Sequence, residues 1–121
     1  MLGVIVLAHG SRDPLWRAPI ESVAQQIARA DSSAVVACAY LELCDPDMAT
    51  AARQLVDQGV QRIRVLPLFF GMGKHAREDL PMLMTDLAAT HPGTAFELLP
   101  TAGEDARLTA LLAHIALETA P

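Results

Sequence analysis

The feature that most narrows what this chain can fold into is its regular alternation of two hydrophobic rhythms. Short, predominantly apolar runs lie at 3–8, 34–41, 63–70 and 95–99. Runs of that length predict strands buried on both faces. Between them, apolar residues recur at helical spacing. Pro19 opens a stretch striped by Ile20, Val23, Ala24, Ile27 and Ala28. Asp45-Pro46 offers an N-cap and a first-turn proline ahead of Met48, Ala51, Ala52, Leu55 and Val56, and Gly59 closes that helix. Asp79 caps a third stripe of Leu83, Met84, Leu87 and Ala88, which His91-Pro92-Gly93 stops. Leu108, Leu111, Leu112 and Ile115 stripe the last. Four β-α units in succession predict an α/β fold: a four-stranded parallel sheet with helices on both faces, wound as in flavodoxin.

A length of 121 residues suits one domain spanning 1–121 and is short for two. With 52% hydrophobic residues but few aromatics, the core rests on Leu, Val, Ile, Met and Ala. The formal charge of −5 argues against a general nucleic-acid binder. The opening segment MLGVIVLAHG lacks a basic leader, and its apolar run is too short to span a bilayer. Cys38 and Cys44 lack CxxC spacing, so reduced thiols and a cytoplasmic location, away from membranes, are expected.

In open α/β sheets, ligands bind beyond the carboxyl ends of the strands, near the point where the winding reverses. The polar groups there are His9 to Asp13, Glu42, Lys74 to Glu78, and Thr101. His9 emerges from an apolar run into Gly10-Ser11. A lone histidine in that position either caps a neighbouring backbone group or does chemistry. His75 follows the third strand in a loop with Gly71 and Gly73. Two imidazoles at one cleft suit a divalent first-row metal and equally suit acid–base work. Glu42 ends the second strand, where a carboxylate can orient an imidazole or take protons, or simply face solvent.

The only lysine, Lys74, adjoins His75, Arg77 follows, and Arg12 and Arg17 flank the first histidine loop. Either these cations pair with Asp13, Glu78 and Asp79, or they meet an anionic ligand. The chain has no GxGxxG, Walker, GxSxG or CxxC motif. A histidine-phosphatase reading of HGSR fails because Ala8 stands where that chemistry needs arginine.

With LAHGSRDP at the first strand and PLFFGMGKHAREDLP at the third, the chain resembles the small sirohydrochlorin chelatases of the class II chelatase group, across all four β-α units. The resemblance implies insertion of Co²⁺ or Fe²⁺ into a carboxylated tetrapyrrole, in cobalamin or siroheme synthesis, with no organic cofactor. By it, His9 and His75 correspond to metal-binding and catalytic histidines. Glu42 matches the acidic residue after the second strand's aromatic, here Tyr40. Ser11, Arg12, Lys74 and Arg77 are then expected to meet the substrate, against apolar walls such as Leu68, Phe69, Phe70, Met72 and Leu99. A single lobe, where larger members have two, implies a homodimer. A non-catalytic metal or tetrapyrrole carrier with the same cleft is the competing reading, as is a structural subunit. Two histidines do not discriminate among cobalt, iron and nickel.

Overall fold

The computed structural model describes residues 1–119; the last two residues of the expected 1–121 domain lie outside them. Four strands, β1 (Leu2–Ala8), β2 (Val35–Tyr40), β3 (Arg62–Pro67) and β4 (Ala95–Leu98), form one parallel sheet in the order β2-β1-β3-β4. Helices α1 (Ala18–Ala30), α2 (Met48–Asp57), α3 (Lys74–Thr90) and α4 (Ala106–Leu117) follow the strands in turn. Right-handed crossovers put α1 on one face and α2 and α3 on the other, because the chain steps outward from β1 to β2 and then crosses back to β3. The winding reverses between β1 and β3, as in the flavodoxin-like order.

The two faces are packed unequally. On the α2/α3 side, Ile5, Leu7, Ala39, Ile63 and Val65 interlock with Met48, Ala51, Ala52, Leu55, Leu80, Met84 and Leu87, all of them buried. On the other side neither α1 nor α4 buries a residue fully. Of the apolar stripe of α4, Leu108 and Leu112 are only half-buried. Leu111 and Ile115 are more than half exposed, and a groove of about 860 Å³ lies between α4, β3 and the segment that follows β4. On this face Arg64 pairs with its register partner Glu97 at 2.8 Å.

Helix starts depart from expectation at two places. The cap of α2 is Asp47, whose carboxylate accepts the Thr50 amide at 2.8 Å and is held below the usual carboxylate range by that bond. Pro46 stays outside because its carbonyl accepts the Tyr40 amide. Helix α3 begins at Lys74 rather than after Asp79, with Gly73 at its cap and Pro81 inside it. An Asp two residues ahead of a proline imitates a helix start, yet the helix runs through and forgoes the one amide bond that Pro81 cannot make. Gly59, at φ +88, closes α2 in the left-handed conformation expected of it.

The one-sided core makes a clear expectation for two methionines on α3. Met84 is 9% exposed and Met82 is 66% exposed. In urea unfolding, Met84→Ala should cost about 2–5 kcal/mol and Met82→Ala no more than about 0.5 kcal/mol. Equal costs would contradict the assignment of faces.

Candidate active site

Strand register builds the site. Ala8 pairs with Tyr40 across β1/β2, and Leu7 with Pro67 across β1/β3, so the next residues of all three strands emerge side by side. The loop after β1 is strapped to the loop after β2. Leu41 N–H donates to the carbonyls of Ala8 and His9, and Glu42 N–H donates to His9 O, each at 3.1 Å. Gly10 has φ +112, and a Cβ there would lie 1.8 Å from Glu42 O, so both its conformation and its contacts demand glycine. A tight three-residue turn follows, with Leu43 at φ 69 and Cys44 N–H bonded to Glu42 O.

These constraints bring two of the candidate side chains together: His9 Nε2 lies 2.8 Å from Glu42 Oε1. Both side chains are more than half exposed, at 61% and 56%, so the pair faces the solvent-filled cleft. A neutral imidazole donating Nε2–H to the carboxylate keeps its Nδ1 lone pair for a metal or a proton, and the carboxylate fixes the ring's orientation.

A cleft of about 500 Å³ opens beside the pair, lined by His9, Glu42, Lys74, His75 and Asp79 among apolar Leu41, Phe69, Met72 and Leu80. His75 stands not in a loop but in the first turn of α3, with Asp79 one turn on along the same face. Asp79, read from sequence as a cap, is thus a wall of the site; an earlier helix start would have revealed it through the i, i+4 spacing. Gly71 and Gly73 take no left-handed backbone, and nothing lies within 4 Å of where their Cβ atoms would be.

Ser11, Arg12 and Arg77 do not line this cleft. Ser11 Oγ accepts the Asp13 amide at 3.1 Å, which shapes the loop locally. Of the expected apolar walls, Phe69 and Met72 are present. Leu99 lines the larger cavity under α4 instead, and Phe70 is 67% exposed. No histidine lines that larger cavity, whereas His9 and His75 both line the smaller one. Behind the site, Trp16 packs on Tyr40 at 6.0 Å between ring centres. Burial pushes the Tyr40 phenol up to about 12, so it stays neutral and is no base. Burial likewise raises the Cys38 thiol. Among the described residues no group of three or more His, Cys, Asp or Glu side chains forms a ready-made metal cage.

Known proteins give this geometry a context. The chain is similar to the sirohydrochlorin cobaltochelatases of Methanopyrus kandleri (31% identical over 84 residues, 69% of this chain and 59% of that protein) and Saccharolobus solfataricus (34%, 69% and 64%). It thus spans about three-fifths of the length of the curated relatives it matches. A CbiX protein of Marinobacter aquaeolei VT8, whose name refers to cobalamin biosynthesis, superposes with TM-score 0.83 at 33% identity, covering 96% of this chain and 94% of that one. The sirohydrochlorin chelatase SirB of Bacillus subtilis subspecies spizizenii, solved in complex with cobalt, superposes with TM-score 0.75 at 25% identity, covering 93% of this chain and 48% of that one. The CbiX family model matches residues 3–119, nearly the whole chain, and the fold agrees, so this chain belongs to the CbiX family.

Proposed function

We propose that this chain is a chelatase that inserts Co²⁺ or Fe²⁺ into sirohydrochlorin or a similar carboxylated tetrapyrrole, in cobalamin or siroheme synthesis. The observation that carries the proposal is the His9–Glu42 pair at 2.8 Å, opening on the same cleft as His75. Membership of the CbiX family supports it. His9 and His75 hold the metal ion as neutral imidazoles, the metal being substrate rather than a resident group. Insertion forms bonds from the metal to the macrocycle nitrogens and releases two pyrrole protons. Glu42 takes one, and an imidazole relieved of the metal takes the other, so the metal's departure creates the base that completes the exchange. The open cleft then passes both protons to water. No organic cofactor enters this scheme.

Lys74, on the cleft wall, meets a substrate carboxylate. Arg12 and Arg77, outside the lining, act through the field at its mouth, and Ser11 retains a hydroxyl proton to donate. The proposal places the protein in the cytoplasm; among the described residues no helix is long and apolar enough to cross a membrane.

Turnover tests the proposal and separates it from a carrier. With sirohydrochlorin and excess Co²⁺ or Fe²⁺, many equivalents of metallated product per protein are expected, whereas a carrier stops at stoichiometric binding. His9→Ala and His75→Ala should each lose most insertion with little change in Tm, and the double variant should lose scarcely more than either. Insertion should also fall on acidification, because a protonated imidazole cannot bind a metal. Near wild-type insertion by the double variant would overturn the mechanism.

The same proposal includes a homodimer of single lobes. Its support is the half-covered face: Leu111 and Ile115 lie on one side of α4, and between Arg107 and His114 the helix carries no charge to repel an identical face. SirB, of which this chain covers about half, supports a second lobe as the occupant. Sedimentation at micromolar concentration should give a dimer that Ile115→Glu dissociates. A fully active wild-type monomer would refute it.

A further inference from the structure

Thr101 stands among the polar residues at the carboxyl edge of the sheet, yet it does not enter the cleft. It is only 3% exposed, and its hydroxyl is used elsewhere. Thr101 Oγ1–H donates to Phe69 O at 2.8 Å, in the loop between β3 and α3. Although Thr101 precedes the 3-10 turn Ala102–Glu104, its side chain makes no cap bond there. The Gly103 amide donates to the same Phe69 carbonyl at 2.9 Å. A Cβ on Gly103 would lie 1.8 Å from Phe70 O, so the turn is pressed flat against the loop. On its other side the loop is pinned by Leu68 N–H to Leu7 O at 2.7 Å.

The loop so held carries Phe69 and Met72, two apolar walls of the cleft, and leads directly into Lys74 and His75. We propose that Thr101 and Gly103 are positioning residues for substrate: the turn after β4 is a strut that holds the Phe69–Gly73 wall, and with it His75, in place against the tetrapyrrole. The inference rests on the chelatase reading for its substrate but not for the strut itself. It gives the β4–α4 connection a part in a cleft that it lines with no side chain.

The strut is tested by hydrogen exchange together with steady-state insertion of Co²⁺ into sirohydrochlorin. Thr101→Val keeps the shape and removes the donor; Thr101→Ser restores it; Gly103→Ala forces the loop away. A single net hydrogen bond corresponds to a change of about two- to tenfold. Amides of residues 69–73 should exchange faster by about that factor in Thr101→Val and at the wild-type rate in Thr101→Ser, with β3 amides unchanged. KM for sirohydrochlorin should rise by a similar factor in Thr101→Val and Gly103→Ala, with kcat less affected. Wild-type exchange in both variants would overturn the proposal. So would equal acceleration in β3, which marks a purely structural role, or an unchanged KM above a loosened loop. A wild-type protein that inserts no metal would defeat the chelatase reading instead, and the exchange rates would still decide the strut.

Discussion

The parallel register of β1 with both β2 and β3 is the constraint on which the rest of this structure depends. Because Ala8 faces Tyr40 and Leu7 faces Pro67, the residues just beyond three strand tips meet at the reversal of the winding. A slip of one residue would turn every side chain of the slipped strand to the opposite face and separate His9 from Glu42. Backbone bonds from Leu41 and Glu42 to His9, and from Leu68 to Leu7, then lock each loop to its neighbour. The site is therefore exact at its backbone and open at its side chains. The proposed insertion, which requires a cleft that admits a macrocycle and releases both metal and protons, would need that combination.

The unequal faces of the sheet divide the labour. The α2/α3 side supplies the dense aliphatic core that fixes β1 and β3, including Ile5, Leu7, Ile63 and Val65, all fully buried. The α1/α4 side leaves apolar surface exposed and contributes less to the stability of the fold. Burial of one large aliphatic side chain contributes about 1.5–3 kcal/mol, so covering Leu111 and Ile115 in the proposed homodimer would add appreciably to stability.

Much of this was legible in the sequence. The four strands, their order of appearance and the parallel sheet follow from the apolar runs, and the carboxyl-edge rule points to His9, Glu42 and His75 before any coordinates. The third strand ends at Pro67 rather than Phe70, because Pro67 has no N–H with which to carry the β3–β4 ladder past the bond from Leu99 N–H to Val65 O. The start of α3 was hidden by Asp79 and Pro81, residues that punctuate helices locally, and tertiary packing of Leu80 and Met84 overrode them. That misreading placed His75 in a loop and left Asp79 out of the cleft. Periodicity identified the apolar stripe of α4 but carries no information on whether a partner covers it. The direction of an exposed side chain such as Arg12 or Arg77 is set by loop geometry that no pattern encodes, and Thr101 showed its polarity but not that its hydroxyl serves a carbonyl across the edge.

The central claim is that His9 and His75, one from a strand-tip loop and one from a helix start, act on the same metal ion. X-ray absorption of the protein loaded with one equivalent of Co²⁺ tests it most directly. The account expects a first shell containing two imidazole nitrogens, with the multiple-scattering signature of both rings, reduced to one ring in either His9→Ala or His75→Ala. A first shell of oxygen alone, or one ring in the wild type that only one of the two substitutions removes, would contradict it.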